Sequence, residues 1–299
     1  MQRQILGVIG GTGLYDMAGL RDVEPVTVDT PYGPPSDALL RAGLEGSDHG
    51  LLFLPRHGKG HRVPPHAINY RANVCALKML GATHVLSVSA VGSMREALAP
   101  GDVVVVDQFV DLTKRRISTF FEDGVVGHVS LADPVCPILA GAVHQAAERA
   151  KAASPELGWG RIHRGGTYLC IEGPQFSTRA ESQIYRGWGV DLIGMTNMPE
   201  AKLAREAELP YSTIALVTDY DCWHESEEAV DIEVVVRRLR GLVEQAKQVV
   251  RQLGAHLPDV SASPAHGAAA SAVLTDQAVV PAQTRQRLAW LLPHLGDAK

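Results

Sequence analysis

Short apolar runs alternate with amphipathic stretches over residues 1–256, and this alternation constrains the fold more than any other feature. Several runs are almost wholly apolar, as strands covered on both faces should be. The predicted strands are 5–11, 50–55, 84–90, 102–109, 167–172, 191–195 and 211–218. The predicted helices are 68–80, 137–153, 177–188, 199–208 and 231–253. The pattern predicts an α/β fold, in which a single-domain, mixed, twisted central β-sheet is flanked by helices.

The composition changes after Pro258, where an Ala-, Ser-, Gly- and Pro-rich stretch predicts a flexible linker. A short amphipathic segment, 284–292, follows this stretch. We therefore predict one domain over residues 1–256, then a linker plus a short C-terminal helix over residues 257–299. A helix joined by a linker needs a surface to pack on, and a second subunit could provide it.

Charge and composition argue against several classes of function. The net charge is −5 and no Lys/Arg run reaches five residues, so nucleic-acid binding through phosphate contacts is not expected. No apolar run approaches the ~18 residues of a membrane span, and we expect no signal peptide. The 4 cysteines are scattered without a Cys-x-x-Cys pair, which predicts reduced thiols in a cytoplasmic protein. The histidines match no common ligand spacing, so no metal site is predicted.

Polar residues follow the first two predicted strands. The glycines of residues 10–13 could bring backbone N–H groups and the Thr12 hydroxyl to an anion, although a plain tight turn explains them equally well. The segment is neither a dinucleotide-binding fingerprint nor a P-loop. Arg56 and His57 end the next strand, where α/β sheets place ligands. Both side chains suit a phosphate group, and a solvent-exposed loop is the alternative.

Three further segments also lie where a predicted strand ends or a predicted helix begins. Ser89 and Ala90 end a strand with small residues that permit close approach of a ligand, and Thr196 precedes a helix start. Phe176 and Ser177 lie in a turn-rich segment that opens a helix, so capping is the simplest role there. That role can coexist with Phe176 facing a flat ring.

Asp219 and Asp221 end the last predicted strand. Like charges held this close raise the pKa of one carboxyl, which suits a proton donor at neutral pH. An acidic surface turn is the alternative. If these strand ends converge at one edge of the sheet, they form a site for an anion beside a flat, nitrogen-bearing ring.

The sequence resembles the methylthioadenosine phosphorylase branch of the purine nucleoside phosphorylase superfamily over residues 5–253. The resemblance is carried by GVIGGTGLYD, TPYGPPSDALL, LPRHGKGH, INYRANVCALKMLG, SAVGSMRE, GDVVVVDQFVDLT, CIEGPQFSTRAES, MTNMPEAKLAREAELPY and TDYDCWHE. It implies the nucleoside phosphorylase fold and phosphorolysis, in which orthophosphate attacks the anomeric carbon of 5′-methylthioadenosine. The products would be adenine and 5-methylthioribose 1-phosphate. Orthophosphate is a co-substrate, and neither an organic cofactor nor a metal is implied.

The resemblance also assigns roles to individual residues. The implied phosphate contacts are Thr12, Arg56, His57, Ser89, Ala90 (through its backbone N–H) and Thr196. The implied nucleoside contacts are Met195 against the ribose, Phe176 and Ser177 beside the purine, and Ile232, Val235 and Val236 around the methylthio group. Asp219 and Asp221 would address purine N7 and the 6-amino group. A homo-oligomer is implied, a trimer or a hexamer, with His128 and Leu291 reaching a neighbour's site.

Other activities compete with this interpretation. A 6-oxopurine nucleoside or methylthioinosine phosphorylase is the nearest alternative, but relatives that prefer 6-oxopurines tend to carry Asn where Asp219 stands. A nucleoside hydrolase would not need Arg56 and His57 beside a glycine loop. A non-catalytic nucleoside-binding module would be expected to lack Arg56 or Asp219, and a dinucleotide-binding oxidoreductase lacks its fingerprint here. Ser89 departs from the family pattern, where Thr is frequent, but keeps the hydroxyl.

Overall fold

Eleven strands form one sheet in this computed structural model, which describes residues 4–11, 13–224 and 232–293, with backbone only for 232–237. The strands are β1 (Ile5–Gly10), β2 (Leu20–Val26), β3 (Leu39–Leu44), β4 (Gly50–Pro55), β5 (His84–Ser93), β6 (Val103–Val106), β7 (Gln108–Asp111), β8 (Ile162–Arg164), β9 (Thr167–Cys170), β10 (Leu192–Gly194) and β11 (Tyr211–Asp219). The helices are α1 (Tyr70–Met79), α2 (Pro137–Ala153), α3 (Arg179–Gly187), α4 (Asn197–Glu206), α5 (Ile232–Ala255) and α6 (Ala282–Leu288).

The sheet is mixed, with the order β2-β3-β4-β1-β5-β10-β9-β7. β11 adds to the other edge of β5 and is followed by β6 and β8. β4, β1, β5 and β11 are parallel neighbours, so their carboxyl ends lie at the same end of the sheet. β10 runs antiparallel to β5. The predicted α/β fold class, a single domain with a mixed sheet between helices, is confirmed.

Helices cover both faces of the sheet because side chains alternate along the strands. In β1, Leu6 and Val8 pack on the face covered by α2 and α5, while Ile9 packs on the face covered by α1 and α4. Among the described side chains of α5, the buried hydrophobic ones recur at helical spacing, as expected for an amphipathic helix; they are Leu242, Ala246, Val249, Val250 and Leu253.

The segment after α5 packs against the domain. His84 Nε2 lies 2.9 Å from the Pro258 carbonyl oxygen, and Ala269 N donates to Glu208 Oε1 at 3.0 Å. Leu288, at the end of α6, is buried in the same cluster as residues of α1 and α4. The division into a domain over residues 1–256 and a flexible linker plus a short C-terminal helix over residues 257–299 stays a prediction. None of the helices in the described ranges is long and apolar enough to span a membrane.

Candidate active site

The candidate site lies where β5 changes partners. On one edge, β5 pairs with β11 from Val85 to Gly92. On the other edge, within the described ranges, it pairs with β1 as far as Ser87 and with β10 only from Gly92 onward. The stretch between these pairings carries Ala90, which is exposed while the rest of β5 is buried. The sheet therefore opens at Ala90, where a ligand can approach the backbone directly.

Arg56 fills the base of this opening. Its guanidinium donates to the carbonyl oxygens of Ile9 (3.3 Å) and Val88 (2.9 Å), near the point where β1 and β5 separate, and to Ser87 Oγ (2.6 Å). Its Nε lies 3.0 Å from Glu200 Oε2, and the two side chains are only 3% and 2% exposed. Arginine has five N–H groups. One N–H on Nη1 has no partner among the described residues, so at most one remains for phosphate.

Ser89 and Thr196 share a cluster of hydroxyl groups beside the opening. Ser89 Oγ lies 3.0 Å from Thr196 Oγ1 and 3.3 Å from the Tyr168 hydroxyl. Tyr168 passes under Gly194, where any Cβ would overlap the tyrosine hydroxyl. Burial raises the pKa of Tyr168 to about 12, so this hydroxyl keeps its proton at neutral pH. The cluster therefore offers hydrogen-bond donors to an anion.

His57 is neutral at physiological pH. Its Nδ1 lies 2.8 Å from the Val63 carbonyl oxygen, so Nδ1 carries the ring proton and donates it. Burial and the charge of Arg56 lower the pKa of His57 to about 4. A neutral ring bonded in this way offers an acceptor at Nε2, whereas sequence reasoning treated His57 as a donor. Nε2 can therefore accept a hydrogen bond from a protonated phosphate oxygen.

Asp219 and Asp221 are buried in the turn that follows β11. Gly92 lies beneath them, and a Cβ there would come within 3.0 Å of Asp219 Oδ1. Asp221 N donates to Asp219 Oδ1 at 2.8 Å, and Ser182 Oγ donates to Asp221 Oδ2 at 2.5 Å. Burial raises the pKa of Asp221, although the Ser182 hydrogen bond opposes this shift. Both carboxyl groups are thus held by hydrogen bonds and shielded from water.

The segment before α3 is attached to this turn. Thr178 caps α3 in a capping box with Glu181, so the capping role expected of this segment falls to Thr178. The Ser177 carbonyl oxygen accepts from Cys222 Sγ at 3.3 Å, while its hydroxyl is buried without a partner in the described part of the chain. The adjacent Phe176 is 48% exposed. A hydroxyl and an exposed aromatic ring therefore stand next to the carboxyl pair.

Met195 is positioned by Arg116, which sequence reasoning did not select. Arg116 Nη1 donates to the carbonyl oxygens of Met195 (2.7 Å) and Met198 (2.6 Å), and Nη2 donates to that of Glu172 (2.6 Å). Its side chain is 1% exposed, and its Nε pairs with the Glu172 carboxylate at 3.1 Å. Arg116 thus joins the segment after β10 to the segment after β9.

Comparison with known proteins identifies the family. The sequence-family model of the phosphorylase superfamily matches residues 5–254. The chain belongs to the phosphorylase superfamily. The S-methyl-5′-thioadenosine phosphorylase of Geobacter sulfurreducens is 50% identical over 286 residues, which cover 95% of this chain and 96% of that relative. The protein of the same name from Koribacter versatilis is 47% identical over 300 residues, covering 100% and 99%.

Solved structures of the phosphorylase superfamily share the fold. A methylthioadenosine phosphorylase sourced from an Antarctic soil metagenomic library has a TM-score of 0.89 and 47% identity, covering 98% of this chain and 100% of that one. The Schistosoma mansoni methylthioadenosine phosphorylase in complex with adenine has a TM-score of 0.80 and 36% identity, covering 90% and 99%. These likenesses confirm the family resemblance and the nucleoside phosphorylase fold expected from the sequence.

Some residues assigned by the phosphorylase superfamily resemblance cannot be placed in the site. Thr12 and the side chains of Ile232, Val235 and Val236 lie outside the described residues. His128 is exposed, and its backbone N donates to the Ala272 carbonyl oxygen at 3.0 Å. Leu291 is buried in the core of its own chain, so reaching a neighbour's site would require it to leave that core. All of these roles stay predictions.

Four residues with buried polar side chains at this phosphorylase superfamily site escaped sequence reasoning: Arg116, Tyr168, Ser182 and Glu200. A partner for Arg56 could have been expected, because arginine is almost never fully buried unpaired. Nothing in the sequence singles out Glu200 as that partner, since 144 residues separate the two. Across residues 4–11, 13–224 and 232–293, no group of three or more His, Cys, Asp or Glu could hold a metal ion.

Proposed function

We propose that this chain catalyses the phosphorolysis of 5′-methylthioadenosine to adenine and 5-methylthioribose 1-phosphate. One observation carries the proposal: the opening at Ala90 has donors for an anion on one side and a buried carboxyl pair on the other. Ala90 and Gly92 are two residues apart, and a strand rises ~3.3 Å per residue, so the two parts are separated by about 7 Å. That separation suits a ribose between phosphate and purine. The methylthioadenosine phosphorylases at 47–50% identity support the choice of substrate.

The proposed reaction develops two opposite charges, and different residues stabilise each of them. Cleavage of the N-glycosidic bond places positive charge on the sugar and negative charge on the leaving purine. Phosphate held by Ser89, Thr196 and the Ala90 backbone would stabilise the sugar, and a protonated Asp219 would donate to N7. Fixed donors that align phosphate with the anomeric carbon act by positioning and electrostatics. A carboxylate near the 6-position accepts from an amine and repels a carbonyl oxygen, which favours an aminopurine.

Substrate choice is tested by measuring phosphate-dependent release of base from methylthioadenosine, adenosine and inosine side by side. We expect the highest kcat/KM with methylthioadenosine and the lowest with inosine, because the carboxyl pair favours an amine at the 6-position. A higher kcat/KM with inosine would instead identify a 6-oxopurine phosphorylase.

Turnover is expected to require orthophosphate and to survive treatment with chelators. We propose that no cofactor takes part, because fixed hydroxyl groups and a carboxyl pair supply the chemistry. Base release is measured with and without orthophosphate, and again after treatment with EDTA and gel filtration. Loss of activity that Mg²⁺ or Zn²⁺ restores, or equal release without phosphate, would contradict the proposal.

We also propose a homo-oligomer, a trimer or a pair of trimers, with His128 next to a neighbour's site. Two residues from His128, the Val126 carbonyl oxygen accepts from Leu274 N, and these two apolar residues are 51% and 71% exposed. Exposed apolar side chains grouped in this way mark interaction surfaces. Sedimentation is expected to give a trimer or hexamer, with Val126→Glu plus Leu274→Glu shifting it toward monomer and lowering activity. A fully active wild-type monomer would contradict the proposal.

A cytoplasmic location is part of the same proposal. The four cysteines are free thiols, and three of them are buried. Reduced cysteines are typical of the cytoplasm. Fractionation of cells that express the chain would test the location, and recovery from outside the cytoplasm would contradict it.

A further inference from the structure

The Thr218 hydroxyl stands between two acceptors. Its Oγ1 lies 2.7 Å from Asp219 Oδ2 and 3.1 Å from the Val91 carbonyl oxygen, both within hydrogen-bond distance. A hydroxyl group has a single proton to donate and two lone pairs that accept. Thr218 can therefore donate to only one of these oxygens at a time, and the choice depends on whether Asp219 is ionised.

A β-bulge creates this arrangement. Neighbouring residues of a regular strand point to opposite faces of the sheet. The register of β11 against β5 shifts between Val217 and Asp219, which leaves Thr218 as the extra residue. Bulges re-aim side chains and are frequent beside active sites, and they are rare in parallel pairs such as this one. The bulge turns the Thr218 hydroxyl, which is buried, toward the neighbouring carboxyl group.

We infer that Thr218 is a positioning residue that supports Asp219 in both of its protonation states. When Asp219 is a carboxylate, the Thr218 O–H donates to Oδ2. When Asp219 is a carboxylic acid, the Thr218 O–H turns to the Val91 carbonyl oxygen, and Oγ1 accepts from the acid until purine N7 takes over that hydrogen bond. Asp221 N donates to Oδ1 in either state, which leaves Oδ2 as the oxygen that carries the proton. The inference rests on the proposed role of Asp219 as proton donor.

This change of acceptor by the Thr218 O–H accompanies the movement of protons in one turnover. As the bond between the anomeric carbon and the purine breaks, its electron pair moves into the purine, and N7 takes the proton from Asp219 Oδ2. The Thr218 O–H then rotates from the Val91 carbonyl oxygen to the new carboxylate. The phosphate group, once its oxygen has bonded to the anomeric carbon, gives up a proton to water, and water passes a proton to Asp219 before the next turnover. A hydrogen bond to an ionised group is about twice as strong as one to a neutral group, so Thr218 favours the charge as it forms.

Any pH dependence of activity also reflects the charged groups around Thr218 and Asp219. Asp221 follows in the same turn, and the α5 side contributes Arg238, whose Nη1 donates to the Thr218 carbonyl oxygen at 2.9 Å. From α3, Arg179 Nη1 donates to the Cys222 carbonyl oxygen at 2.9 Å. The β5 strand opposite supplies the uncharged Val91, Gly92 and Ser93. These groups stay in place when Thr218 alone is changed.

The test compares Thr218→Val, which removes the hydroxyl at nearly constant shape, with Thr218→Ser, which keeps it. For Thr218→Val we expect kcat with methylthioadenosine to fall ~10- to 100-fold, the range for loss of a charge-assisted hydrogen bond. The pH at which kcat falls to half on the alkaline side should rise, because the carboxylate loses more stabilisation than the acid. KM should change little, and Thr218→Ser should stay close to wild type in kcat and pH profile.

Two results would overturn the inference. One is a folded Thr218→Val enzyme with unchanged kcat and alkaline limb. The other is a lower kcat with the alkaline limb unmoved, which would indicate a purely structural role; Thr218→Ala is measured in the same way if the valine variant does not fold. Asp219→Asn separates this inference from the proposed function. If kcat is low in Asp219→Asn but unaffected in Thr218→Val, only the change of acceptor by Thr218 is rejected. If Asp219→Asn is fully active, the role of Asp219 as proton donor is rejected as well.

Discussion

Asp219→Asn is expected to lower kcat for methylthioadenosine by about 10²–10⁴-fold, the usual contribution of a general acid. Asparagine keeps an N–H donor for N7 but has no proton that it can transfer. Its NH₂ group can also meet a carbonyl oxygen at the 6-position. Discrimination against methylthioinosine should therefore fall in the same variant. The measurement is kcat/KM for both nucleosides in wild type and variant.

The variant should fold normally, because its amide fits the hydrogen bonds seen around Asp219. The amide oxygen can accept from Asp221 N, and the amide NH₂ can donate to Thr218 Oγ1 while Thr218 donates to Val91. An unchanged melting temperature is the control for folding. If the preference ratio between the two nucleosides stays at its wild-type value, Asp219 does not contact the purine, and the assigned role is wrong.

Arg56→Ala is expected to lower the free energy of unfolding by about 3–5 kcal/mol, because it leaves Glu200 buried without its cation. The carbonyl oxygens of Ile9 and Val88 would also lose their donor at the point where the sheet opens. The KM for phosphate should rise in whatever fraction folds. Urea unfolding gives the stability change, and initial rates at varied orthophosphate give the KM.

A matched control separates burial from loss of charge. The pair of Arg41 with Glu24 has a similar distance, 3.2 Å, but its side chains are 46% and 58% exposed. Exposed pairs contribute at most ~1 kcal/mol, so Arg41→Ala should be nearly neutral. Equal stability losses in the two variants would contradict the account of Arg56 as a buried pair that supports the opening.

Much of the fold could be predicted from residue patterns, and the omissions have physical causes. β4 and α2 were predicted with the bounds that the structure shows, since β4 is a continuous apolar run and α2 carries buried residues at helical spacing. β2 was missed because its side chains are mostly exposed and charged residues interrupt it, so that no apolar run marks it. The predicted strand 102–109 is two strands, β6 and β7, divided at Asp107, whose carboxylate accepts from Gly166 N. β8 was also missed, because it is only three residues long and two of them, His163 and Arg164, are polar.

The site was predicted less completely than the fold. The ends of β4 and β11 bring Arg56 and Asp219 toward the part of β5 that carries Ala90, whereas the predicted end of that strand at Ala90 was wrong, because β5 continues to Ser93. Thr196 arrives differently, because β10 runs antiparallel to β5 and leads its following residue back to Ser89. Arg56 and Arg116 depend on partners distant in sequence, Glu200 and Met195. Such pairings follow from packing, which no local pattern encodes.

The sugar product tests the central claim most directly. Methylthioadenosine is incubated with the enzyme and ¹⁸O-labelled orthophosphate, and the products are followed by ³¹P NMR and mass spectrometry. The account predicts 5-methylthioribose 1-phosphate, formed in equal amount with adenine and carrying label in the oxygen bonded to the anomeric carbon. Free methylthioribose with adenine, and orthophosphate unconsumed, would show hydrolysis by water and contradict the account.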